Sequence, residues 1–229
     1  MSRSKNAEEV RVGCIEAMGQ KLGELFHATW SELTWAHWRW QQYRTLFGEK
    51  PSRIDLLNEA APLFFRIVHN VFFEDTLLAI ARLVGPPKSH RKTNLTVQRF
   101  PPLLADPSLR DEVRALIEKA KTCAAFAIDW RNRRIAHRDL DLILRTSPQP
   151  LAVATHELVE ESLSALRDVL NRIEVGYCRS ATSYYSPTTG DAEALLYVIR
   201  DGLLRERDRH ARRDRGELHD EHIKPPEAV

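Results

Sequence analysis

Residues Trp130 to Asp139, "WRNRRIAHRD", set four arginines around His137 directly after the apolar run "CAAFAIDW" and before "LDLIL". Histidine titrates near neutral pH and can take up or deliver a proton. A guanidinium matches the charge that develops on phosphate oxygens during displacement at phosphorus. An arginine beside a histidine therefore suits proton transfer at a phosphodiester. Spacing alone says little, because an arginine and a histidine separated by four to six residues occur five times in the chain. Arg205 with His210, Arg212 and Arg213 with His219, and Arg215 with His222 all lie in a charged tail that has no apolar spacing to hold a geometry. Only Arg131 with His137 sits between apolar helical runs.

On a straight α-helix six residues turn through about 600°, which leaves Arg131 and His137 roughly 120° apart. The pair can meet if the helix begins or bends within the motif, or if the long Arg131 side chain reaches across. A two-fold axis that brings two such helices together also relaxes the demand. Arg133 and Arg134 are the helical neighbours of His137 in a regular helix.

A second polar feature lies in "FFRIVHNVFFEDTLLAIARL", where Glu74 and Asp75 interrupt a strongly apolar helix. Val68, Val71, Asp75, Leu78 and Arg82 share one stripe. A carboxylate on a buried stripe needs a partner, since an unpaired buried charge is too costly to keep. Arg82 supplies one within the helix; Arg131 or His137 supplies one from a neighbouring helix. Periodicity does not separate Glu74 from Asp75.

The elements that must position these groups are helical. Glycine is scarce, and no Asn-Gly or Asp-Gly signal joins alternating runs. A first helical segment spans roughly 6–47, with Met18, Leu22, Leu25, Phe26, Trp30 and Leu33 at helical spacing and the tryptophan-rich "WSELTWAHWRW" near its end, which suits a core or dimer interface. A second helix runs over about 54–84, and Pro62 kinks it or marks its true start. "GPPKSHRKTN" is a loop and "LTVQRFPPLL" a short helical piece. Asp106 caps a helix with Pro107 at its first position, and that helix continues towards Trp130. Thr155 caps another, where Val159, Leu163, Leu166, Leu170 and Ile173 form an amphipathic stripe. A last helix begins near Ala192 and frays into the mixed-charge tail. The fold expected is all-α, an up-and-down bundle of four to five helices over residues 1–178. Residues 179–229 then carry a loop, the additional helix and a charged, disordered extension.

Composition narrows the functional classes. Apolar residues make up 43% of the 229-residue chain, enough for a core, and the net charge is only +2. Arginine outnumbers lysine 26 to 8, which suits phosphate recognition and equally follows from a high-GC genome. Cys14, Cys123 and Cys178 are odd in number and far apart, which argues against a disulfide framework or a zinc site. Neither an apolar signal segment nor a membrane-length apolar run is visible, so a soluble cytoplasmic protein is expected. No metal and no cofactor is called for.

With these residues in view, "WRNRRIAHRDLDLIL" resembles the signature of the HEPN superfamily, whose motif is Arg, commonly followed by a polar residue, and then His. Arg131, Asn132 and His137 match all three positions. "LFGEKPSRIDLLNEAAPLFFRIVHNVFFEDTLLAIARL" with "NLTVQRF" is similar to the AbiU-type abortive-infection branch, so the resemblance covers roughly residues 25–145. It implies a HEPN-like bundle and a metal-independent endoribonuclease of phage-defence or toxin–antitoxin type. RNA is then the substrate, a homodimer shapes a composite site, and an antitoxin partner is possible.

In that setting Arg131 and His137 serve the cleavage, and Asn132 orients the phosphate or the histidine. Glu74 or Asp75 supports the site from the second helix. Asp141, one helical turn beyond His137, holds its ring, while Arg133, Arg134 and Arg138 bind the RNA backbone. Where paired members of the superfamily often carry a tyrosine two positions after the histidine, this chain has Asp139, which puts silencing by adenylylation there in doubt. The alternatives are a non-catalytic RNA- or nucleotide-binding HEPN module, and a helical interaction protein acting through its charged extension.

Overall fold

The structure is a computed structural model that describes residues 6–89, 91–137, 139–147, 149–184 and 190–217. Asn6 opens helix α1 (Ala7–Met18) with a reciprocal cap: its side chain accepts from the Glu9 amide at 2.8 Å, and Glu9 accepts from the Asn6 amide at 2.9 Å. Gly19, at φ +80°, ends α1, and α2 (Gln20–Tyr43) follows at once. The segment expected as one helix is therefore split at the residue that tolerates a left-handed φ. A wide i→i+5 turn, Arg44–Gly48, closes the tryptophan-rich end of α2.

Pro51 starts α3 (Pro51–Ala60), and Pro62 starts α4 (Pro62–Val84), so Pro62 marks a true helix start. The loop expected after α4 contains a minimal antiparallel pair, β1 (Lys88–Ser89) and β2 (Lys92–Thr93), in which Lys88 faces Thr93. Two short 3₁₀ turns, Val97–Arg99 and Pro101–Leu103, make the helical piece expected there. Asp106 caps α5 (Pro107–Cys123) by accepting from the Ser108 amide at 2.9 Å. The helix breaks at Ala124 and resumes as α6 (Ala125–Trp130), rather than running through to Trp130 unbroken. A one-turn helix α7 (Leu140–Ile143) precedes α8 (His156–Cys178), which Thr155 caps through the Leu158 amide. α9 (Asp191–Asp214) continues well into the charged extension. Pairs at i,i+4 support it there, Asp208 with Arg212 at 3.0 Å and Glu206 with His210 at 3.9 Å. Residues 218–229, with His219 and His222, lie outside the described residues.

The described residues form two compact units that interleave in sequence. One contains residues 1–41 and 70–186. In it α5 packs along α8, and the stripe Val159, Leu163, Leu166, Leu170 and Ile173 is fully buried. Phe26, Leu33, Leu77, Ile80 and Phe100 complete that core. The other contains residues 42–69 and 187–229, where α3 packs on α9 around Leu46, Leu57, Phe65, Ala192 and Leu196. In it Arg207 donates to Glu59 at 2.6 Å, and His69 meets the Tyr43 hydroxyl at 2.9 Å. The all-α expectation holds. No helix among the described residues is long and apolar enough to cross a membrane.

Within the first unit, His37 stacks on buried Tyr184 with ring centroids 5.0 Å apart. Burial, reinforced by the Arg167 charge and opposed by a hydrogen bond to the Leu163 backbone, pushes His37 down to about 4. Burial also pushes the Tyr184 hydroxyl up.

Two predictions follow from this packing. A methyl group on Gly23 would stand 2.6 Å from the Cys14 carbonyl oxygen, whereas one on Gly13 meets nothing within 4 Å. Gly23→Ala should destabilise the protein by about 1–3 kcal/mol, and Gly13→Ala should stabilise it by roughly 0.5–1 kcal/mol; denaturant melts of both variants check this. The second concerns pH. Between its unfolded value of 6.5 and its native value of about 4, His37 binds its proton in the unfolded chain and not in the native one. Its contribution is thus fully present above pH 6.5 and is lost as pH falls through that window, up to about 3 kcal/mol in all. His37→Gln should flatten that stretch of the stability–pH curve, and an unchanged slope would disprove the assignment.

Candidate functional site

The motif begins where α6 stops being an α-helix. From Arg131 to Ile135 the backbone widens to i→i+5 bonding, and the Ala136 amide donates to the Arg131 carbonyl at 2.8 Å. Such single wide turns recur at functional sites. The Asp139 amide then donates to the Arg133 carbonyl at 3.0 Å, and the Asp139 side chain caps α7 by accepting from the Asp141 amide at 3.0 Å. An aspartate at a cap competes with helix continuation for the same backbone donors. The bend expected as one way of reconciling Arg131 and His137 is present, and it falls inside the motif.

The non-helical segment after α7 supplies the reason for the stop. Its backbone groups need partners, because unpaired ones are costly. Arg133 donates to the carbonyls of Gln149 at 2.7 Å and Pro150 at 3.1 Å, and to the Ser147 hydroxyl at 3.1 Å. Its charge is balanced by Asp129 and Asp139, each 3.6 Å away. Trp130 Nε1 donates to the Ala152 carbonyl at 2.7 Å, while the Ala152 amide donates to Asp129 at 2.9 Å. Asp129, Trp130 and Arg133 thus clamp Ser147, Gln149, Pro150 and Ala152. Arg133, expected on the RNA backbone, has its donors committed inside the chain.

The end of α6 and the wide turn after it are held to α4 by two contacts. The Trp130 ring meets Phe73 edge-on at 5.6 Å, and Arg134 Nε donates to Glu74 at 3.1 Å while its guanidinium lies 5.1 Å from the Trp130 ring centre. The carboxylate that reaches the motif helix is therefore Glu74, and it reaches Arg134 rather than Arg131 or His137. Asp75 pairs with Arg39 of α2, not with Arg82. Arg82 instead donates to Glu32 of α2 at 2.8 Å. Asp141 accepts from the Thr146 hydroxyl at 3.1 Å and does not hold His137. That expectation needed a helix continuing past His137, and the helix ends first.

Arg131, Asn132 and His137 stand apart from their neighbours. Among the described residues their side chains form no hydrogen bond or ion pair. Asn132 and His137 are exposed, and Arg131 is half-buried against a cavity of about 610 Å³ beside α4. Arg138 lies outside the described residues. Of the tryptophans, Trp40 is core and sits edge-on to His156, whereas Trp35 is exposed and makes an edge contact with Trp38. Sequence reading missed Glu32 as a partner of Arg82 and missed the clamp on residues 147–152. The carboxylates and arginines were visible, but no periodicity links helices so far apart in the chain.

Comparison with curated proteins and with solved structures gives no match. Comparison with protein families matches residues 19–196, well over half the chain, to the family described as HEPN_AbiU2, AbiU2. The matched span includes the wide turn, the Arg-Asn-His positions and the Glu74 contact. The chain belongs to the AbiU2 family of HEPN proteins.

Proposed function

We propose that this chain is a metal-independent endoribonuclease of phage-defence or toxin–antitoxin type. The observation that carries the reading is the division of labour within the motif. Asp129, Trp130, Arg133, Arg134, Asp139 and Asp141 are all engaged in holding the fold, while the three positions of the family signature have no partner among the described residues. A merely solvated face would not sort its residues in this way.

The chemistry follows from those three side chains. The neighbouring 2′-oxygen of the RNA attacks phosphorus, a 2′-O–P bond forms, and the P–O5′ bond breaks. His137 takes the 2′-hydroxyl proton or delivers one to the leaving 5′-oxygen. Arg131 balances charge on the non-bridging oxygens, and Asn132 orients the phosphate. Both proton transfers are served when a homodimer brings two copies of His137 to one substrate, since a two-fold axis duplicates every group beside it. Glu74 acts through Arg134 as a positioning residue, and the exposed edge of Arg134 remains for the RNA backbone. Arg133 is a positioning residue that holds the wide turn. Regulation by an antitoxin partner fits the family and leaves this assignment unchanged.

The test is cleavage of RNA by the full chain. His137→Ala should lower the rate by about 10²–10⁴-fold with RNA affinity retained, and Arg131→Ala by about 10²–10³-fold. Wild-type protein that binds RNA without cutting it would favour the non-catalytic binding module instead. Stability separates the two kinds of arginine. Arg131→Ala should change unfolding free energy by less than about 0.5 kcal/mol, whereas Arg133→Ala, which strips three hydrogen bonds and bares two carboxylates, should cost about 1–3 kcal/mol. Equal losses for the two in a thermal melt would refute this partition.

A further inference from the structure

Arg131 lines one side of a cavity of about 610 Å³ whose other walls come from α4, from Glu32 of α2, and from the segment that follows β2. Its volume lies in the range of small-molecule sites, roughly 300–1,000 Å³. The walls are of two kinds. Leu78, Ala81 and Leu95 make an apolar side, while Arg131 and the Arg82–Glu32 pair make a charged one.

The far wall is preformed. The Asn94 side-chain amide donates to the Pro86 carbonyl at 2.9 Å, and Gln98 and Thr96 donate to the carbonyls of Val84, Leu83 and Gly85 at the end of α4. No bound molecule is needed to hold that wall open. With the Asn94 side-chain amide spent on the wall, the charged groups that face a ligand are Glu32, Arg82 and Arg131. Arg82 is about half exposed, and Arg131 has no acceptor of its own among the described residues.

A ligand that satisfies all these surfaces has an anionic group for Arg131 and a largely apolar body for the leucine side. It also carries a polar edge with donors for the Glu32 carboxylate. We propose that the cavity takes one nucleotide unit, with its phosphate on Arg131, its base against Leu78 and Leu95, and an amino or hydroxyl group on Glu32. Arginine planes also stack on bases, which a simple anion site would not require. The proposal rests on the ribonuclease reading for its source: the unit belongs to the RNA strand, and its phosphate on Arg131 is the one that is cut. A free mononucleotide has the same chemistry.

The experiment titrates the full chain with adenosine 5′-monophosphate, with a short oligoribonucleotide and with octanoate as an aliphatic anion, in wild type and in Leu95→Trp. Leu95 is partly exposed, so the larger ring fills the cavity from its open side; Thr93→Trp, at an exposed position, serves if that variant does not fold. Both nucleotide probes should weaken by roughly tenfold or more in the filled variant, with the melting temperature retained. Competition of the oligoribonucleotide with the mononucleotide assigns the strand as the source, and mononucleotide binding without competition assigns a free nucleotide. Unchanged nucleotide affinity in a folded filled variant overturns the proposal, as does no binding of adenosine 5′-monophosphate or tighter binding of octanoate. RNA cleavage that is intact and indifferent to Leu95→Trp removes the cavity and leaves the ribonuclease. Nucleotide binding lost in Leu95→Trp, with no cleavage by wild type, removes the ribonuclease and leaves the cavity.

Discussion

Everything distinctive about the motif depends on where the Arg133 guanidinium goes. It is mostly buried, and it is held between Asp129 and Asp139 while it donates to the carbonyls of Gln149 and Pro150. A charge in that position needs both compensation and directed acceptors. The two aspartates supply the first, and the chain between α7 and α8 supplies the second. Meeting both at once ties the end of α6 to a non-helical segment some fifteen residues on. The helix widens instead of continuing, and Asp139 starts a new one. Arg131, Asn132 and His137 are what is left without a partner among the described residues when that junction is satisfied.

The acids of α4 show the same economy. Successive residues on a helix point about 100° apart, so adjacent Glu74 and Asp75 serve different neighbours. Asp75 faces Arg39 of α2 and Glu74 faces Arg134 beyond α6. With Arg82 on Glu32, α4 carries an ion pair to each side. These pairs are partly exposed and contribute little individually, but they fix which residue of α4 stands beside the motif.

Much of the fold was legible because it is written in local terms. Asp106 and Thr155 announce their helices by cap chemistry, Pro62 by its missing donor, and the α8 stripe by its period. The Arg-Asn-His positions were legible from their apolar setting, and the mismatch of Arg131 and His137 on a straight helix already required a bend or a second subunit. The wide turn itself was not legible. It arises from contacts between residues 129–133 and 147–152, and pattern reading along a helix carries no information about such pairs. The pairing of Asp141 with His137 failed for the same reason, since it extended a periodicity past the point where the helix stops. The tail of α9 was underestimated because it lacks apolar spacing, although its charges support one another along the helix.

A motif in which Arg131, Asn132 and His137 hold nothing else together among the described residues has an evolutionary consequence. Arg131, Asn132 and His137 can be exchanged without disturbing the junction behind them, while Arg133, Asp129 and Trp130 cannot. Descendants of this chain can therefore change any of these three positions in a single step and keep the scaffold, its nearby cavity and its surfaces. Members with an intact clamp and altered residues at these three positions are the variants such an arrangement produces most readily.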